Sequence, residues 1–205
     1  MTIKTAGRPA GKTGQAKVLD DKEIKQVLKV VEVGNHSKRN TAIVILSNYL
    51  GLRSKELAAL KISDVLEQDT IKKVLRLVAA YTKGSKHRDV SLENKAVIKA
   101  LQEYIATRRI EDRITFNLDA PLFRSQKGTA FSPNAMVRVL GDIYKAAGFN
   151  DASSHTGRRS LITKLAYSGI DLNSIRQIAG HSSIATTQRY INDNPHTIAE
   201  ILKAI

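Results

Sequence analysis

Residues 153–192 read SSHTGRRSLITKLAYSGIDLNSIRQIAGHSSIATTQRYIN. The stretch divides into three short helices, over about 156–168, 171–179 and 183–191. His155 and Arg158 stand one helical turn apart at the start of the first, so both side chains can face one point. Gly180-His181 follows the stop of the second helix, and Tyr190 lies on the third. Taken singly, a His-x-x-Arg is ordinary surface and a tyrosine near a helix end is ordinary packing. The weight rests on their combination with residues upstream.

Working outward, the helical period dominates the rest of the chain. Asp20 can cap a helix whose Glu23 completes a capping box, with Ile24, Val27, Leu28 and Val31 on one stripe and Gly34 at its end. A second helix runs from about Lys38 to Leu50 with Ile43, Leu46 and Leu50 on one face and Gly51 as its stop. A short helix from Ser54 buries Leu57 and Leu60. The period then changes: Lys73–Tyr81 and His87–Leu92 read as two strands joined around Lys83-Gly84-Ser85. After Asn94 the stripe Val97, Ala100, Leu101, Ile105 marks another helix, and a loop near 111–131 holds Pro121-Leu122-Phe123. Ser132 with Pro133 opens a helix that Gly148 closes. Asn194 and Pro195 open a last one bearing Ile198, Ile201, Leu202 and Ile205. The expected fold is mainly α with one small antiparallel β-sheet. It forms a single domain over 18–205 behind a basic, disordered tail at 1–17.

Composition narrows the chemistry. The absence of cysteine excludes disulfides, thiolate chemistry and sulfur-ligated zinc. The histidines show no helical pair beside acids, so no metal site is expected. No apolar run approaches the ~20 residues that cross a bilayer, and the N-terminus lacks the apolar core of a secretory signal. An intracellular, cytoplasmic and nucleoid-associated location is therefore expected. Lys and Arg outnumber Asp and Glu by 33 to 19, giving a net charge of +14. That excess suits a polyanion, since neutralising phosphates releases counterions. With six Tyr and four Phe scattered along the chain, duplex DNA fits better than a stacked single strand. Gly11-Lys12-Thr13 hints at a phosphate loop, but Gly7 is one residue too close and no strand or helix flanks it. No cofactor is expected.

Two upstream segments supply partners for the 153–192 stretch. Arg53, in Gly51-Leu52-Arg53-Ser54-Lys55-Glu56-Leu57, sits at a helix N-terminus where the dipole favours an anion. Glu56, one turn on, can hold that guanidinium as a phosphate clamp. The turn Thr82-Lys83-Gly84-Ser85-Lys86-His87-Arg88 offers a basic tip that can enter a DNA groove.

GLRSKEL, TKGSKHR, HTGRR and AGHSSIATTQRY, in this order, resemble the tyrosine recombinase (phage integrase) family from about residue 18 to the end. The family pattern is Gly-Leu-Arg-x-x-Glu, a hairpin lysine, His-x-x-Arg, then Gly-His and a tyrosine nine positions later, and Tyr190 is nine after His181. The resemblance implies a site-specific recombinase that cuts and rejoins duplex DNA through a 3′-phosphotyrosyl bond, without ATP or metal. Its catalytic set would be Arg53, Lys83, His155, Arg158, His181 and Tyr190, with Glu56 behind Arg53. Lys83 matches the family's lysine better than Lys86, and both flank the same turn. Arg159 stands where many relatives have a second histidine, while Arg158 keeps the His-x-x-Arg spacing. Arg8, Lys12, Lys86, Arg88 and Arg159 are expected to contact DNA. The resemblance also implies a homo-tetramer on synapsed sites, assembled from monomers free in solution.

Most relatives carry a helical DNA clamp ahead of the catalytic domain, and Arg53 arrives too early for one here. The chain therefore resembles the minimal recombinases that invert promoters, or else a fragment. Gly7-Arg8-Pro9 resembles the core of a minor-groove AT-hook, which would let the tail replace part of the clamp. The apolar stripe 198–205 would dock in cis or on a neighbouring protomer. Competing functions are a type IB-like topoisomerase and a non-catalytic DNA-binding regulator with the same fold.

Overall fold

The computed structural model describes residues 16–78 and 87–192, the last four of these as backbone alone. Helix α1 (Asp21–Glu32) opens on the capping box: Asp20 accepts from the Lys22 and Glu23 amides while Glu23 accepts from the Asp20 amide. Ile24, Val27 and Val31 form its buried stripe. Just before it, Lys17 pairs with Glu23 at 3.0 Å and lies over the Phe149 ring.

Helix α2 (Ser37–Leu50) is the centre of the domain. Ala42 through Asn48 are buried on every face, because α1, α5, α6 and α7 pack around it. A single apolar stripe was expected there, yet the helix has no solvent side along those residues. It ends at Gly51, whose φ of +63° glycine adopts without penalty. Helices α3 (Ser54–Ala59) and α4 (Ile62–Val65) follow.

Two two-stranded antiparallel sheets stand among the described residues, where one was expected. The additional pair, β1 (Leu66–Glu67) and β2 (Thr70–Ile71), closes over Gln68 and Asp69, both at positive φ. Two residues of that handedness match the twist of a tight hairpin, but neither is the glycine that would have announced the turn. The expected pair is β3 (Val74–Leu77) with β4 (Arg88–Ser91), in the register Leu77↔Arg88 and Arg76↔Asp89. Side chains alternate across it. Leu75 and Leu77 point inward, and Arg76 pairs outside with Asp89 at 3.1 Å.

Helix α5 (Lys95–Asp112), capped by Asn94, lays Val97, Ala100, Leu101 and Ile105 on α2. The loop beyond it is fixed from within, since Arg108 donates to Asp112 and to the carbonyls of Pro121 and Leu122. Leu122 and Phe123 are fully buried. Helix α6 (Pro133–Ala146) starts at the Ser132 cap, and Gly148 turns the chain at φ +90°. Helices α7 (Thr156–Tyr167), α8 (Leu172–Ala179) and α9 (Ile184–Asn192) complete the described chain. A small separate core of Ile162, Ile175 and Ala179 joins α7 to α8. No helix among the described residues is long and apolar enough to cross a membrane. Tail residues 1–15 and the expected last helix lie outside the described residues.

Candidate active site

The site is built around the last turn of α8. Gly180 ends that helix in the left-handed region at φ +60°. A helix end leaves its final carbonyls without partners of their own, and arginines from distant elements supply the donors. Arg88 Nη1 donates to the Ile178 carbonyl at 2.5 Å, Arg158 Nη2 to the Ala179 carbonyl, and Arg53 Nη2 to the Gly180 carbonyl at 3.0 Å. Cations are favoured there, at the negative end of the helix dipole.

Each arginine is held from behind. Arg53 caps α3, and its backbone amide and Nη1 donate to the two carboxylate oxygens of Glu56 at 2.8 and 2.7 Å. Glu56 is fully buried, and its Oε2 also accepts from Arg88 Nη2 at 2.9 Å. One carboxylate thus serves two guanidiniums. Arg158, nearly inaccessible on α7, donates through Nη1 to the Gly51 carbonyl at 2.8 Å. Helix α7 can lie this close to α2 because residue 157 is glycine. A Cβ there would stand 2.5 Å from Ser47 Oγ and 3.0 Å from the Asn48 side chain. Asn48 Nδ2 bonds in turn to Val44 O and Tyr144 Oη, tying α6 into the same contact.

The histidines complete the cluster. His181 is buried, and its Nδ1 pairs with the buried Thr187 Oγ1 of α9 at 2.9 Å. Loss of water, then the charges of Arg158, Arg53 and Arg88, push its imidazole down to about 4. His155, at the N-cap of α7 beside Ser154 Oγ, is lowered by loss of water and by Arg158 and Arg53. Both histidines sense Arg158 and Arg53, so these four groups share one field, and Arg88 acts on His181 as well. Three guanidiniums with one carboxylate among them, beside two imidazoles whose protonation is disfavoured, give the cluster a net positive charge. A phosphate diester, with one negative charge shared by two non-bridging oxygens, suits guanidinium forks.

Of the expected site residues, Arg53, Glu56, His155, Arg158 and His181 are brought together. Position 190 stands near the end of α9, and the Tyr190 side chain lies outside the described atoms. Lys83, Lys86, Arg8 and Lys12 lie outside the described residues. Arg88, expected on the DNA-facing turn, is only 8% exposed. Its partner in the ladder is the inward-facing Leu77, which puts Arg88 on the inner face of the hairpin. Arg159 is also turned away from the cluster, donating to the Ala16 carbonyl at 2.9 Å. Thr187 went unnoticed in sequence, although its place six residues after His181, inside the motif, was the available signal. Among the described residues, no group of three His, Cys, Asp or Glu could hold a metal ion.

Comparison with known proteins gives one answer. Residues 17–197 match the phage integrase family. The tyrosine recombinase XerC of Pelobacter propionicus is 31% identical over 171 residues, covering 83% of this chain and 53% of that protein. XerC of Myxococcus xanthus is 36% identical over 177 residues, covering 84% and 54%. Among solved structures, the XerA recombinase aligns with a TM-score of 0.75 at 29% identity, over 93% of this chain and 65% of that one. The XerH site-specific recombinase bound to its difH substrate aligns at 0.66 and 26% identity, over 85% and 49%. The chain spans about half the length of the curated relatives it matches.

Proposed function

The chain belongs to the phage integrase family, and we propose on that footing that it carries out the strand cleavage and rejoining of a tyrosine site-specific recombinase on double-stranded DNA. The observation that carries the proposal is the convergence of Arg53, Arg158, His155 and His181 on the end of α8, with α9 leading to position 190. The DNA-bound XerH neighbour supports a duplex substrate, as does the charge of +14.

In this mechanism Arg53 and Arg158 take the two non-bridging oxygens of the scissile phosphate. Their hydrogen bonds strengthen as charge builds in the transition state. The Tyr190 phenol oxygen attacks phosphorus, forming a tyrosyl–phosphate bond to the 3′ side, while the bond to the 5′ oxygen breaks. A phenol with a pKa near ~10 must lose its proton on attack, and neutral His155 is the acceptor. Lys83 gives a proton to the leaving 5′ oxygen as general acid. His181 donates to the phosphate, its ring oriented by Thr187. Attack by a 5′ hydroxyl reverses the steps, so the phosphotyrosyl bond conserves the energy of the diester and no ATP is consumed. Lys86, with Arg8 and Lys12 of the tail, adds phosphate contacts. Recombination requires four protomers on two synapsed sites, and we assign the tetramer to that stage, acting in the cytoplasm on nucleoid DNA.

The test is covalent trapping. The chain is mixed with a pool of nicked duplexes of randomised sequence, and adducts resistant to denaturant are isolated and sequenced. Adducts that form on a defined sequence and vanish in Tyr190→Phe, with DNA affinity unchanged, are the expected result. Binding without any adduct would instead make the chain a DNA-binding regulator.

A further inference from the structure

Arg88 occupies a place that the reaction just described does not use. Its side chain is buried, and loss of water pulls its guanidinium below the usual arginine range. A groove-contacting arginine would not be withdrawn in this way. Among the described residues, both of its side-chain bonds go to groups that Arg53 also engages: Glu56 Oε2, which takes the Arg53 amide as well, and the end of α8, where Arg88 holds Ile178 O and Arg53 holds Gly180 O. The side chain also crosses Gly180 so closely that a Cβ there would stand 2.7 Å from Arg88 Cδ.

Charge counting gives this arrangement a purpose. With Arg88 present, Glu56 is shared between two guanidiniums and the trio carries one net positive charge. Without Arg88, the carboxylate would cancel Arg53 alone and draw its fork into a bidentate pair, away from the open side. We propose that Arg88 is a positioning residue for strand cleavage: it shares Glu56 with Arg53 and pins the turn at Gly180-His181, so that the Arg53 guanidinium and His181 stay set for the phosphate. The assignment rests on the recombinase reading above.

The experiment measures two quantities on a nicked duplex recovered by the trapping selection: the single-turnover rate of adduct formation at saturating DNA, and DNA affinity across a salt series. Arg88→Met should slow the adduct step about 10–100-fold, the usual cost of losing a group that orients a reacting one, with affinity and salt slope unchanged. Arg88→Lys, which keeps the charge and loses the fork, should be slowed less. In the pair Arg88→Met/Glu56→Gln the trio regains its positive charge, so the double variant should cleave faster than Arg88→Met alone. Rates are taken per folded molecule in each variant, so a recovery of stability alone would not register. Should Arg88→Met fail to fold, Arg88→Lys and the double variant decide by the same rates. Rates within twofold of the unaltered chain in every folded variant would overturn the assignment. So would a loss of affinity with a salt slope reduced by about one, which marks a phosphate contact. No adduct with the unaltered chain would overturn the recombinase reading and this assignment together, whereas an adduct indifferent to Arg88 would overturn this assignment alone.

Discussion

Replacing Glu56 by glutamine keeps its shape and removes its charge, which isolates what that charge does. Glu56 is fully buried and accepts from Arg53 Nη1 at 2.7 Å, the Arg53 amide at 2.8 Å and Arg88 Nη2 at 2.9 Å. Glutamine offers one carbonyl oxygen and turns an NH2 toward one of the remaining donors. Arg53, whose side chain is 26% exposed, can swing partly into water, but Arg88, at 7%, cannot. Removing one partner of a buried pair costs about 3–5 kcal/mol because the other charge stays buried. A domain holds only about 5–15 kcal/mol in total. For a chain of this size each kcal/mol moves the melting temperature by roughly 2–4 °C, so a fall on the order of 10 °C is expected. Urea denaturation of Glu56→Gln beside the unaltered chain reads the loss directly. Repeating it at about 0.05 and 0.5 M salt adds a second criterion, since a buried pair is hardly screened. A loss below ~1 kcal/mol that shrinks with salt would place Glu56 among surface pairs and refute the argument that it neutralises a buried arginine.

Other outcomes follow from the same geometry. His181 is held neutral, with a folded pKa of about 4 against an ordinary value near 6.5. The unfolded chain therefore binds more protons between these values, and this contribution, complete above pH ~6.5, is lost as pH falls toward 4. Its full size is at most about 3.5 kcal/mol at ~1.4 kcal/mol per unit. His181→Gln should flatten the pH dependence of stability in that window, and parallel profiles would contradict the argument. Gly157→Ala places a methyl 2.5 Å from Ser47 Oγ, so α7 must retreat from α2. A loss of about 1–3 kcal/mol in urea is expected for such overpacking, and a change below ~0.5 kcal/mol would mean that the interface yields freely.

Local signals carried much of this structure. The Asp20 and Glu23 box, the Ser132-Pro133 start and the Gly51 and Gly180 stops depend on neighbours in sequence, and each stands where its chemistry put it. The hairpin Gln68-Asp69 was missed because its residues adopt positive φ without being glycine or asparagine. The all-round burial of α2 was missed for a different reason. Ser47 and Asn48 look like a polar face until Tyr144 and Gly157 arrive from elsewhere in the chain to cover them. Arg88 was assigned outward from the composition of its turn. Its inward direction is set by register: Arg76 with Asp89 occupies the outer face, which leaves Arg88 opposite Leu77. The motif residues named the site, but the carbonyls that gather them, at 178–180, carry no side-chain signature at all.

The three carbonyls at the end of α8 receive donors from Arg53, Arg88 and Arg158, which lie 127, 90 and 21 positions earlier in the chain. Contacts that span such distances are slow to form, because long loops must close before they give anything back. A ribosome delivers Arg53 and Arg88 well before the turn that organises them. Until residues 178–181 emerge and fold, the arginines have no common point to face, and the growing chain holds the ingredients of a phosphate site without the site. A protein proposed to break DNA would thereby gain its cutting geometry only when that turn has folded.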